Sequence, residues 1–292
     1  MDYKYFLAVM KTGSLAAASA RLHIAPSAIS RQISLLEESV GVTLFERRRR
    51  GMVLTAAGQA LAEHALRVRL EEEAIVQSLR QNDYAQAHLI RVAATEGLAR
   101  YFLPMVMAEF SNRTPLARFV LKVSSPNDCV DMVRNGEVDI GAIFSTAPVP
   151  DVEVNYSCRS PIFAVMQANH PLATANKLSL NELQPYPIVM PGEELTQKQL
   201  FNHVCQMEKL VFNEVFTCNY SGVLHEFVRR TNAIALGASI SHRSSLDHGL
   251  KIVPVLDSRL DRDLQILSMA KRVLPQSVSD FLRALIQDLK AA

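Results

Sequence analysis

Apolar positions in the first forty residues recur at helical spacing. Tyr3, Phe6, Leu7 and Met10 share one face of a short helix predicted over 3–11, which stops at Thr12-Gly13. Ser14 is a natural N-cap for a second helix, Leu15–Leu22. Its small residues (Ala16, Ala17, Ala18, Ala20) let a neighbouring helix cross closely. After a break at His23-Ile24-Ala25-Pro26, Ile29, Ile33 and Leu36 mark the buried face of a third helix, which runs from Ser27 to a left-handed cap at Gly41. Apolar stretches at 42–45 and 52–55 flank Glu46-Arg47-Arg48-Arg49-Arg50-Gly51 and predict a hairpin with four arginines at its tip. From 55 to about 87 there is no proline. There Leu61, Ala65, Val68, Glu72, Ile75 and Leu79 step by fours and threes, a heptad seam that a second copy of the helix would cover.

Beyond residue 88 the pattern alternates. Strands are predicted at 90–94, 119–123 and 138–144, with helices at 98–110 and 128–134 between them. The rhythm continues through 162–166, 188–190, 223–230, 234–236 and 252–255, and ends in a strand at 264–269 and a helix at 277–289. Strand and helix in alternation predict an α/β body.

Composition narrows the class. The chain has 292 residues, 49% of them apolar and 21% charged, enough for two domains with their own cores and too apolar for a disordered chain. Gly 11 and Pro 13 exclude a collagen-like protein. No apolar run approaches the ~18 residues of a membrane span, and Met1-Asp2-Tyr3-Lys4-Tyr5 lacks a secretory layout, so a cytoplasmic address is expected. Charge is unevenly placed. Residues 1–58 carry eight bases and four acids, whereas the 204 residues after 88 carry equal numbers. A basic head on a neutral body suits a polyanionic partner.

The third helix sharpens this. Ser27, Ser30, Arg31 and Ser34 fall opposite its buried face. Short hydroxyls around one arginine suit a major groove, because they allow close approach while the guanidinium reaches guanine or phosphate. Arg47, Arg48, Arg49 and Arg50 would form a wing along phosphates. Enzymatic signatures fall short. Gly237-Ala238-Ser239-Ile240-Ser241 lacks the closing glycine of a nucleophile elbow, and His225-Glu226 is followed by Arg229 where a metalloprotease needs histidine. Cys129, Cys158, Cys205 and Cys218 form no C-x-x-C pair, so no metal site is expected. A redox switch would require the fold to bring Cys205 and Cys218 together.

Gly13-Ser14, Ala17-Ala18, Leu22, Ser27-Ala28-Ile29-Ser30, Gln32-Ile33, Leu36-Glu37, Gly41, Leu44-Phe45, Arg47, Leu54-Thr55 and Gly58 stand in the order and spacing of the LysR-type transcriptional regulators. The head resembles their N-terminal winged helix-turn-helix. It departs at Pro26, a base-reading position where relatives often carry glutamine. The phrases Asn135-Gly136-Glu137-Val138-Asp139-Ile140 and His170-Pro171-Leu172-Ala173 extend the resemblance, more loosely, into the body. It implies a mainly α winged helix-turn-helix at 1–58, a long linker and dimerisation helix at 59–88, and an effector-binding body at 89–292. That body would be an α/β fold of two subdomains, like a periplasmic binding protein, with subdomain one at 89–161 plus 265–292 and subdomain two at 162–264. The implied protein is a regulator, not an enzyme, and needs no cofactor. Its partners would be promoter DNA, a small and possibly anionic effector, a second copy in a dimer or dimer of dimers, and RNA polymerase if it activates, with no membrane. The same fold also suits a plain small-molecule binding protein or a thiol-based redox sensor. Effectors of such folds sit between the subdomains at strand C-terminal ends, where helix N-termini offer N–H donors. Candidate effector contacts are therefore Thr95, Ser125, Asn127, Phe144, Met190 and Ser221. Thr95 matches a position where relatives often carry a ligand-binding hydroxyl.

Overall fold

The structure, a computed structural model, describes residues 3–49, 51–80, 88–193, 195–238 and 249–291. Two units separate, Met1–Asn82 and Asp83–Ala292.

In the first unit α1 (Lys4–Thr12) closes at Gly13, whose φ of +65° is easy only for glycine. The Ser14 hydroxyl accepts from the Ala17 N–H and opens α2 (Leu15–Leu22). Of the four alanines of α2, only Ala18 is buried. Helix α3 (Pro26–Val40) starts one residue before its expected position because Pro26 takes the first helical site, where a missing N–H costs nothing. Ile29, Ile33 and Leu36 are buried, and the rings of Phe6 and Phe45 meet at 5.2 Å in the same core.

The hairpin corrects an expectation. It pairs β1 (Phe45–Arg48) with β2 (Gly51–Leu54), from Phe45 opposite Leu54 to Arg48 opposite Gly51. Arg47 and Arg48 therefore lie within a strand, and Arg49 enters the turn; Arg50 lies outside the described residues. The ladder starts late because the chain before it is already committed. Glu37 Oε1 accepts from the Leu44 and Phe45 N–H groups at 2.7 and 3.2 Å, and Leu44 is buried.

Helix α4 (Ala56–Arg80) follows and packs along α1. Ala62, Ala65, Leu66 and Leu70 are buried, whereas Ile75 and Val76 are 58% and 44% exposed. The expected seam is thus divided. Ala65 is buried, Leu61 and Val68 are half-buried, Glu72 and Ile75 face solvent, and the side chain of Leu79 lies outside the described residues.

The second unit holds two five-stranded sheets. Its elements are β3 (His88–Ala94), α5 (Glu96–Ala99), α6 (Phe102–Arg113), β4 (Ala117–Val123), α7 (Pro126–Arg134), β5 (Ile140–Ser145), β6 (Val152–Ser160), β7 (Ile162–Gln167), α8 (Leu180–Leu183), β8 (Ile188–Met190), α9 (Thr196–Glu208), β9 (Glu214–Thr217), α10 (Ser221–Val228), β10 (Ile234–Ala238), β11 (Leu250–Pro254), β12 (Arg262–Met269) and α11 (Gln276–Ala291). One sheet runs β4-β3-β5-β12-β6 and the other β11-β7-β10-β8-β9. The chain crosses to the second sheet through Pro161 and returns between β11 and β12, over a single helical turn at Ser258–Leu260.

Three expectations for this unit change. The returning strand joins the first sheet at Arg262, not 265, because Leu264 pairs with Phe144 and Cys158 and is buried in that sheet's core. The helix expected at 98–110 is two helices. Inside one continuous helix Pro104 would press on the Arg100 carbonyl; with the break at Arg100-Tyr101 it falls in the first turn of α6 instead. Strand β6 and helix α9 were invisible to the apolar pattern, since β6 buries only Ser160 and α9 buries only Lys198, Phe201 and Val204.

In the first sheet β3, β4 and β5 run parallel, and in the second β8, β9 and β10 do. The N-termini of α5, α7, α9 and α10 follow the ends of these strands. The crevice at those ends is where the body's polar groups converge.

Candidate functional site

On α3, Pro26, Ser27, Arg31 and Ser34 are exposed and Ser30 is half-buried. Ser27, Ala28, Arg31, Gln32 and Leu35 edge a shallow groove. No acidic side chain among the described residues pairs with Arg31, Arg47 or Arg49, so their charges are available to a polyanion. Arg48 differs. Its Nη2 donates to Glu46 Oε2 at 2.9 Å, which neutralises it locally.

Between the two sheets of the body lies a cavity of about 270 Å³. Thr95, Ser125, Phe144 and Ser221 line it. Asn127 and Met190 do not. Asn127 projects into solvent at the start of α7, leaving Pro126 on the wall, and Met190 is fully buried in the core of the second sheet, leaving Pro191 on the wall.

The lining groups differ in how they are occupied. The Ser125 hydroxyl caps α7, donating to Asp128 Oδ2 at 2.7 Å and accepting from the Asp128 N–H at 3.2 Å. Those bonds hold the Asp128 carboxyl below its usual range. Ser221 donates to Glu96 Oε1 at 2.9 Å and accepts from Arg100 Nη1 at 3.3 Å. Thr95 precedes α5 but makes no capping bond, and its Oγ1 is buried without a partner among the described residues.

Three lining features escaped the sequence reading. Arg262 opens β12, is 8% exposed, and lies over the Phe144 ring with Cζ 4.4 Å from the centroid. Its Nε is sealed from solvent without an acceptor, and no described carboxylate pairs with the guanidinium. Burial pushes its pKa down to about 10, so it remains a cation at neutral pH. His225 is 1% exposed, and its Nδ1 lies 2.9 Å from Arg100 Nη1. Burial, then the charges of Arg100 and Arg229, push its pKa down to about 4, so it is neutral. Gln197 donates to the Leu236 carbonyl at 2.5 Å and fixes the start of α9 against β10.

The four cysteines are free. Burial pushes the Cys129 thiol up to about 12 and the Cys205 thiol up to about 11, which suppresses the thiolate that redox chemistry needs.

Residues 1–59 match the family "Bacterial regulatory helix-turn-helix protein, lysR family", and residues 85–290 match "LysR substrate binding domain". The chain belongs to the LysR family. This LysR-family regulator is 31% identical over 235 residues to the transcriptional regulator SsuR of Burkholderia cenocepacia, covering 78% of this chain and 75% of that one. It is 27% identical to the dual regulator GltC of Bacillus subtilis, over 97% of this chain and 95% of the relative. In fold it resembles a full-length OxyR variant from Pseudomonas aeruginosa, with a TM-score of 0.68 at 17% identity over 98% of this chain and 93% of that one. It also resembles full-length CbnR complexed with its target DNA, with a TM-score of 0.57 at 18% identity over 98% and 99%. The LysR-family chain is thus a DNA-binding transcriptional regulator with an effector-binding body, not an enzyme. No helix among the described residues is long and apolar enough to cross a membrane.

Proposed function

We propose that this regulator reads promoter DNA through Pro26, Ser27, Ser30, Arg31 and Ser34 on α3, with Arg47, Arg48, Arg49 and Arg50 set along the phosphates. A small molecule in the body cavity, against Thr95, Ser125, Phe144 and Ser221, then adjusts transcription. Asn127 and Met190 drop out of that set because neither reaches the cavity wall. The protein works in the cytoplasm, where promoter DNA is. It acts as a dimer or dimer of dimers paired along α4, with RNA polymerase as a further partner where it activates.

The observation that carries the effector reading is the orphaned Thr95 hydroxyl, sealed inside a cavity at the strand ends. A buried hydroxyl without a partner costs stability unless something fills the site. The test is a thermal-shift screen of small metabolites on the full chain, repeated on Thr95→Val, with a DNA footprint of each. A hit should weaken about 10- to 150-fold in the variant if Thr95 bonds a charged ligand group, while DNA binding without ligand is unchanged. A variant that binds every hit normally would remove Thr95 from the site.

A further inference from the structure

Resting on the reading of this cavity as the effector site, we propose that its ligand is a small aliphatic monocarboxylate. Its charged end is held by Arg262 and Thr95, and its body lies against Leu195, Leu224 and Leu236. Two residues on the cavity wall are more than nine-tenths buried with a polar atom that finds no hydrogen-bond partner among the described residues, Arg262 at Nε and Thr95 at Oγ1, and apart from the Phe144 ring no described group pairs with the guanidinium. A buried cation is normally paired, because an isolated one costs far more than a neutral group. Glu96, the acidic residue among the described lining residues, does not pair with it; its Oε1 accepts from Ser221. A guanidinium and a hydroxyl together offer the donor set that a carboxylate accepts.

The charge count sets the valence of the ligand. Among the described lining residues Arg262 is the cation, because His225 is held neutral with Arg100 at its Nδ1. Arg100 itself is committed to Ser221 and His225 and does not line the cavity. A dianion such as phosphate would therefore stay half neutralised. The size and the walls set the rest. A cavity of about 270 Å³ lies just below the usual span of ligand pockets, about 300 to 1,000 Å³, so its ligand is small. The Phe144 face is already covered by Arg262, so that ring offers no stacking platform. Tyr220 apart, the other apolar side chains of the described lining are aliphatic, Leu195, Leu224 and Leu236 among them.

The experiment titrates the full chain, by calorimetry and thermal shift, with propionate, butyrate, isovalerate and caproate. The matched amides, isoamylamine, leucine as a zwitterion, and inorganic phosphate serve as comparisons, and each compound is also tested on a DNA footprint. At least one acid should bind at least tenfold more tightly than its amide and alter the footprint. Arg262→Met keeps the packing on Phe144 and removes the charge, so the acid should weaken about 10- to 150-fold while the amide is unaffected. The ligand-free variant should unfold at the same or a higher temperature, since it no longer buries an unpaired cation, which separates weakened binding from a damaged fold. An amide, amine, zwitterion or phosphate that binds more tightly than every acid and alters the footprint would overturn the monocarboxylate while leaving the cavity as the effector site. Acids that bind Arg262→Met at full strength and leave the footprint unchanged would overturn both, and no binding by any of the acids would overturn the proposal.

Discussion

Arg100 and His225 meet across the cleft at 2.9 Å, one from the end of α5 beside the first sheet, the other from α10 beside the second. The guanidinium can only donate, so His225 Nδ1 must accept and the imidazole carries its proton on Nε2. With Glu96 and Ser221, the pair ties the two halves of the body together beside the cavity.

This contact makes the body acid-sensitive. Burial disfavours the imidazolium first, and the neighbouring Arg100 and Arg229 charges add to that, so the His225 pKa is held down to about 4, against about 6.5 in an unfolded chain. Between those values the unfolded state binds a proton that the folded state refuses, so stability present above about pH 6.5 is lost as pH falls toward 4. The full shift is worth at most about 3 kcal/mol, roughly 2 of it lost by pH 5. Urea unfolding at pH 7 and pH 5 should show that difference, and His225→Gln should reduce it. His170, whose pKa burial also lowers, would keep a smaller dependence in the variant. An unchanged pH response in His225→Gln would mean the contact does not form.

The head was legible in the sequence because its signals are local. A cap at Ser14, a left-handed stop at Gly41 and a buried stripe of Ile29, Ile33 and Leu36 each speak within a few turns of helix. The wing was misplaced because its register depends on a distant group, the Glu37 carboxylate that captures Leu44 and Phe45. In the body, Thr95, Ser125, Phe144 and Ser221 were reachable by counting to strand ends and helix starts. Met190 and Asn127 each missed the wall by one residue, because which neighbour turns inward depends on tertiary packing. Arg262 did leave a trace. It shares the buried face of β12 with Leu264 and Ile266 at a spacing of two, and a charge on such a face signals a buried cation. His225 left none, since only the fold brings Arg100 to it.

On DNA, the arginines should separate by role. Arg31→Ala should lose about 1–3 kcal/mol of discrimination between operator and random sequence if its contact is bidentate to a base. Arg47→Ala with Arg49→Ala should instead weaken all DNA alike and lower the salt slope by about 0.9 for each phosphate no longer neutralised. Arg48→Ala should do less, because Glu46 already holds that guanidinium. Gel shifts across a salt series check all three. Equal effects from Arg48 and Arg49 would mean the Glu46 pair opens on DNA.

The outer half of α4 should govern assembly. Ile75 and Val76 are exposed at 58% and 44%, apolar surface on a helix whose first half is already buried. Ile75→Glu should therefore dissociate the dimer without unfolding the head, measured by sedimentation alongside circular dichroism. A variant that sediments as the parent does would place the dimer contact elsewhere.

A final test concerns the ion pair that locks the first sheet. Asp139 Oδ1 accepts from Arg272 Nη2 at 2.8 Å and Oδ2 from the Arg91 N–H at 2.9 Å, with the Asp139 and Arg272 side chains almost fully buried. The carboxylate thus joins β3, the entry to β5 and the turn after β12. Arg91 Nη1 stays 4.0 Å from Asp139 Oδ2 when Arg272 is removed, so Arg272→Met should cost less than the about 3–5 kcal/mol of a fully stranded buried charge. Replacing both, as Asp139→Asn with Arg272→Met, strands no charge and should recover part of that loss. Arg272 Nε and Nη1 already lack partners among the described residues, which limits what the pair contributes beyond an apolar substitute. Denaturant unfolding of the two singles and the double closes the cycle. A double variant as unstable as the sum of the singles would show that Asp139 and Arg272 are not coupled.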